Sequence, residues 1–189
     1  MKKSLIIVIA IIAIIGILAA VVAGKYNGFV TAEEELKSAQ SQVGVQLQRR
    51  ADLIPNFVAT VKGYSDYEQS TLTAVTEARA KVGKAQTVSE QETANTELDK
   101  AISVWVNAVT EAYPDLKANT QYIALQDELA GTENRIATAR KDYNTVAQKY
   151  NGKIRKFPSN IIANIFGFDK AEYFSADDNA NTAPVVDFG

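Results

Sequence analysis

The chain opens on nineteen consecutive apolar residues, Leu5 to Ala23, bracketed by Lys2-Lys3 on one side and Lys25-Tyr26 on the other. At 1.5 Å per residue a helix of that length spans about 28 Å, close to the thickness of a bilayer's hydrocarbon layer. Tyr26 beside Lys25 suits the aromatic and cationic rim where a membrane helix ends. Residues 1–25 are therefore expected to form an uncleaved membrane anchor. The competing reading is a signal peptide cut near Val21-Val22-Ala23, whose apolar core would ordinarily run only about 7–15 residues.

Beyond this block the apolar residues recur every three or four positions. Phe29, Leu36, Val43 and Phe57 share one heptad column, with Ala32, Ala39, Leu47, Ile54 and Val61 on its flanks. Thr31 and Glu34 form a capping box that predicts a helix start after Asn27-Gly28, and Pro55 should kink or end that helix near Ile54. Gly63 marks a further break, and Ser65 with Glu68 caps a shorter helix through Leu72, Val75 and Val82, closed by Gly83-Lys84. Thr87 with Glu90 opens the next, with Leu98, Ile102, Trp105, Val109 and Ala112 on its face and Pro114 interrupting it. The last long helix is the most regular: Tyr122, Leu129, Ile136, Tyr143, Tyr150 and Phe157 repeat every seven residues. Pro158 ends it, before a short amphipathic stretch from Asn160 to Phe168. No segment alternates as a strand. The pattern predicts an all-α protein, a transmembrane helix followed by a long antiparallel bundle of about four helices, occupying residues 26–174. A tail over 175–189 is polar until Val185, Val186 and Phe188, which either stay free or dock in extended form.

Composition removes whole classes of chemistry. The 189 residues include neither cysteine nor histidine. Disulfides, Cys/His zinc sites, haem attachment, a lipobox and Ser-His-Asp or Cys-His catalysis are thereby excluded. The net charge is −2, and setting Lys2 and Lys3 aside leaves 18 basic against 22 acidic residues. Basic side chains are spread thinly, which argues against nucleic acid as a partner. Positive charge before the apolar block exceeds that after it, so the N-terminus is expected in the cytoplasm and the bundle outside it.

Three groups of residues stand out. Gly16, Ala20 and Gly24 fall at four-residue spacing and would let two membrane helices approach closely, although small residues are common in such helices anyway. Arg50 stands in the Phe29–Phe57 column, where a buried guanidinium needs a carboxylate; Glu133 and Glu111 are the candidates for a register-fixing pair, against the plainer reading of an arginine reaching solvent at the bundle edge. Ile161, Ile162, Ile165, Phe166 and Phe168 make the Asn160–Phe168 stretch unusually apolar; they either cap the core or touch another subunit or the membrane surface. Acidic runs at Glu33-Glu34-Glu35 and Asp177-Asp178 lack calcium-loop spacing, and a di-metal bundle site would need the missing histidines, so no metal or cofactor is expected.

Several strings then carry a resemblance: Gln46-Leu47-Gln48-Arg49-Arg50-Ala51-Asp52-Leu53-Ile54-Pro55-Asn56, Val61-Lys62-Gly63-Tyr64, Glu111-Ala112-Tyr113-Pro114-Asp115-Leu116-Lys117-Ala118-Asn119, Leu125-Gln126-Asp127-Glu128-Leu129 and Gly131-Thr132-Glu133-Asn134-Arg135-Ile136-Ala137. With Tyr26-Asn27, Ala78-Arg79, Ala139-Arg140, Tyr143-Asn144, Tyr150-Asn151 and Phe157-Pro158 they run in order across residues 26–158. The chain resembles the LemA family, bacterial helical-bundle proteins with one N-terminal membrane segment. The resemblance implies a long antiparallel bundle, supplies no catalytic or cofactor residues, and associates some relatives with organising internal or envelope membranes. The expected function is a non-enzymatic, membrane-anchored scaffold, partnered by the lipid bilayer and by further copies of itself. The alternatives are an adaptor for another envelope membrane protein, such as a protease or transporter, and an enzyme or ligand carrier with a groove lined by carboxylates and tyrosines.

Overall fold

The computed structural model describes residues 2–62 and 69–175. All elements among the described residues are helical. They are α1 (Lys2–Lys62), α2 (Gln69–Val82), α3 (Val88–Ala112), a 3₁₀ turn (Pro114–Ala118), α4 (Thr120–Arg155) and α5 (Ser159–Phe166). Two compact units form among the described residues: the first from residues 2–43 with Asp142–Glu172, the second from residues 44–62 and 69–141 with residues 173–175. Gly63, the Ser65–Glu68 capping box and the residues Val185, Val186 and Phe188 lie outside the described residues.

The second unit is a four-helix core. Phe57 of α1 meets Trp105 of α3 edge-on and stacks on Tyr122 of α4, both at 5.2 Å between ring centroids. Helix direction follows from the contacts. Moving along α1 from Arg49 to Phe57, the α4 partner falls from Glu128 to Tyr122, so these two run antiparallel. From Arg50 to Phe57 the α3 partner rises from Asn95 to Trp105, so α1 and α3 run parallel. The cap of α3 forms as the sequence predicts: Thr87 Oγ1 accepts the Glu90 N–H at 3.2 Å, and the Glu90 carboxylate accepts the N–H groups of Thr87 and Gln86 at 3.0 and 2.8 Å. Those backbone donors hold the Glu90 carboxyl below the usual carboxylate range.

The first unit has only two long helices. Phe29 and Ala32 of α1 pack with Tyr150 and Ile154 of α4, and α5 closes the open side with Ala163. Gly167, at φ 74°, ends α5, and its left-handed backbone is the reason a glycine stands there. The chain then runs extended over α4. The Asn151 side chain donates to the Ala171 carbonyl at 2.9 Å and accepts its N–H at 2.8 Å, while the Tyr143 hydroxyl donates to the Glu172 carbonyl at 3.1 Å.

Three sequence expectations are corrected. First, no helix starts at Thr31: α1 passes through Asn27-Gly28, and the Thr31 hydroxyl turns back to the Asn27 carbonyl at 3.0 Å instead of capping. A glycine inside a helix costs only about 1 kcal/mol, and the buried Phe29 and Ala32 that follow it offset that cost.

Second, of the kink or end expected at Pro55, the end does not occur, and α1 runs on to Lys62. A proline lacks the N–H that would reach the carbonyl four residues back. That carbonyl belongs to Ala51, and the Arg79 Nε of α2 donates to it at 2.8 Å. The lost helix bond is replaced from a neighbouring helix.

Third, Phe157 does not continue the heptad seam. It is 82% exposed because α4 stops at Arg155, after which a seven-residue spacing no longer returns to the same face. Ile154 is the last buried position of the helix.

Candidate functional site

Two features qualify: a buried cation in the second unit, and apolar surface left open in the first.

Arg50 is buried to 7% exposure on the same heptad column that carries Val43 and Phe57. Its Nη1 faces Glu133 Oε2 of α4 and Asp99 Oδ1 of α3 in close ion pairs, and lies 3.4 Å from Asn95 Oδ1. Asn95 in turn donates to Asp99 Oδ2 at 2.9 Å. One guanidinium thus ties three helices together. The carboxylates keep about a third or more of their side chains in water, 42% for Glu133 and 35% for Asp99, so the cost of desolvating two acids is only partly incurred. A second network lies nearer the surface, where Glu128 accepts from Arg49 at 3.0 Å and from Arg135 at 2.8 Å.

The geometry sorts the sequence candidates. Arg50 and Glu133 are brought together. Glu111 is exposed in the last turn of α3, twelve residues past Asp99 and so about 18 Å further along the helix, too far for Arg50 to reach. Asp99 and Asn95 are the partners that sequence reasoning missed. A signal existed: Asn95, Leu98, Ile102 and Trp105 are spaced by three and four, which puts the buried Asn95 on the apolar face with Asp99 one turn on. Among the described residues no three acidic side chains gather where they would hold a metal ion.

In the first unit, the large apolar residues between Leu5 and Val21 are exposed all round α1, and this stretch is apolar and long enough to cross a bilayer. Gly16 and Gly24 have open space where a Cβ would stand, and Ala20 is exposed between them. The apolar residues of α5, with the Phe168 that follows it, divide into groups. Ile162 and Phe168 pack on the Phe29 core. Ile161 and Ile165 point outward, Ile165 at 72% exposure. Phe166 is also exposed, yet its ring meets Tyr26 at 5.0 Å, and Phe168 lies 5.7 Å from Tyr26 and 5.3 Å from Phe29. The side chain that ends the membrane-length stretch is thereby seated against α5. Tyr150, beneath this cluster, has its phenol pushed to a higher pKa by burial, and next by the negative charge of Glu33 and Asp169.

Described residues that form only helices, with one membrane-length apolar segment among them, a heptad-patterned remainder and ion pairs that tie helices to one another, define a membrane-associated helical protein. The chain belongs to the LemA family, whose model matches residues 39–188. It is 28% identical to Magnetosome protein MamQ 2 of Paramagnetospirillum magneticum over 204 aligned positions, 95% of this chain and 74% of that protein. It is 29% identical to Protein LemA of Metamycoplasma hominis over 152, covering 79% and 68%. The Magnetosome protein MamQ of Magnetospirillum gryphiswaldense is 26% identical over 187, covering 86% and 68%. None of these names is that of an enzyme.

Proposed function

We propose that this protein is a non-enzymatic scaffold, anchored in the bacterial envelope or an internal membrane by α1 and assembled from several copies. The observation that carries the reading is the continuity of α1. Within the first unit, one helix holds both the exposed apolar stretch from Leu5 to Ala23 and the buried Phe29, Ala32 and Val43. An anchor joined to its domain without a linker transmits orientation, which suits a structural role better than a tether. Copies associate through the Gly16–Ala20–Gly24 face, where the absence of bulky side chains lets helix backbones approach. The Arg50–Asp99–Glu133 group fixes the register of the bundle, and the N-terminus stays cytoplasmic because Lys2 and Lys3 outnumber Lys25. That some relatives are magnetosome proteins supports a part in building a cellular structure.

Because the chain has no cysteine, single thiols give a clean test. In native membranes, Gly16→Cys and Ala20→Cys should form disulfide-linked dimers on mild oxidation, and Leu18→Cys, about 200° round the helix from Gly16, should not. Equal cross-linking at all three, or at none, would remove the small-residue face from the account. The exposed Ile161 and Ile165 favour a second reading, an adaptor that docks another envelope membrane protein. It would give a fixed ratio of two proteins in the extracted complex.

A further inference from the structure

The first unit contains a feature that neither the fold nor the family assigns. Between the start of the bundle half of α1 and the end of α4 lies a groove of about 750 Å³, a size typical of small-molecule sites. Its position is set by its lining. Gly24 and Lys25 form one wall where the apolar stretch ends, so with Leu5–Ala23 in the bilayer the groove opens at the level of the lipid headgroups. The space beside the helix backbones is open: a Cβ at Gly24, Gly28 or Gly152 would meet no atom within 4 Å.

The charge is one-sided. Lys25, Lys149, Lys153 and Lys156 line the groove, against the single carboxylate of Glu35. Among the described residues none of these four lysines makes an ion pair. Neighbouring acids are partly neutralised already, since Glu33 and Glu34 pair with Lys37 at 3.6 and 3.3 Å. Phe157, stranded past the end of α4 at 82% exposure, stands at the rim beside Lys156. A ring exposed there is costly in water and favourable in the interfacial layer of a membrane.

We propose that this groove binds the headgroup of an anionic phospholipid. The lysines meet its phosphate, Phe157 sits among the neighbouring lipids, and the acyl chains lie along the apolar surface of α1. The inference rests on the membrane insertion of Leu5–Ala23 and is independent of self-association.

The test uses full-length protein in detergent, stripped of lipid and titrated with equal amounts of phosphatidylglycerol and phosphatidylcholine, with bound lipid counted by native mass spectrometry. Wild type should retain phosphatidylglycerol at least about tenfold over phosphatidylcholine, given roughly a tenfold effect for each one or two lysines at such a surface. K149Q/K153Q/K156Q should lose the preference, and K84Q/K100Q/K117Q, with the same change in charge on exposed lysines elsewhere, should keep it. Equal retention of both lipids by wild type would overturn the proposal, and that comparison needs no variant to fold. Displacement of the lipid by an equal concentration of glycerol phosphate would overturn it too, reassigning the groove to a soluble anion. Flotation with vesicles reads insertion separately: protein that floats yet shows no preference loses the groove and keeps the anchor, whereas protein that fails to float loses both.

Discussion

Two stretches of the one helix α1 obey opposite rules. From Leu5 to Ala23 every face is apolar, and the large side chains are exposed. From Phe29 to Val61 one stripe is buried while the other faces carry charge, and the single cation on the stripe, Arg50, is ion-paired. The difference lies in the solvent each stretch meets. A lipid-facing helix gains nothing by hiding a stripe, so its sequence has no period, and what varies around it is side-chain size, as at Gly16, Ala20 and Gly24. A water-facing helix must hide a stripe and does so every three or four residues. The backbone crosses from one regime to the other without a break.

Substitutions can break this contrast in order of size. Phe57→Ala should cost the bundle about 3–5 kcal/mol, because Phe57 is fully buried between Trp105 and Tyr122 and its loss leaves a cavity. The same kind of truncation at Ile14 should leave the melting temperature of the detergent-solubilised protein unmoved.

Arginine probes the two solvents directly. Ile12→Arg should oppose membrane insertion by about 2.5–3.5 kcal/mol, read as the fraction that resists alkaline extraction. Val45→Arg, at an exposed bundle position, should change neither extraction nor, beyond about 0.5 kcal/mol, thermal stability.

Arg50→Met keeps much of the packed stem and removes the charge, leaving Asp99 and Glu133 facing each other. Breaking a buried pair typically costs about 3–5 kcal/mol, and water at the half-exposed carboxylates should reduce this to about 2–3 kcal/mol. Chemical denaturation would measure it, with Lys141→Met as surface control; equal stability of the two would mean the ion pairs hold nothing.

The smallest effect is the most specific. Arg79→Met should cost about 1 kcal/mol by orphaning the Ala51 carbonyl. In a Pro55→Ala background, where a new N–H can reach that carbonyl, the same change should cost clearly less. Additive costs in the double-mutant cycle would refute the replacement of the proline's missing bond by Arg79.

How much was legible follows from where the information lies. Helix periods, the membrane stretch and the Thr87–Glu90 cap are local patterns, and the structure repeats them. Arg50 with Glu133 could be suspected because a charge interrupts an apolar column. Pro55 and Asn27-Gly28 misled because a local breaker was judged without its tertiary partners, the Arg79 guanidinium in one case and the Phe29 core in the other. The seal over the first unit was not legible at all. Asn151, a polar residue beside the buried Tyr150, pairs with the backbone of Ala171 twenty residues on, and no period announces a chain that runs extended across a helix.

The central claim is self-association of an anchored bundle, and its most direct test is the mass of the full-length protein gently extracted with its own lipids. Native mass spectrometry or light scattering should give one defined multiple of 20.5 kDa. A monomer, or a fixed stoichiometric complex with a second protein, would contradict it.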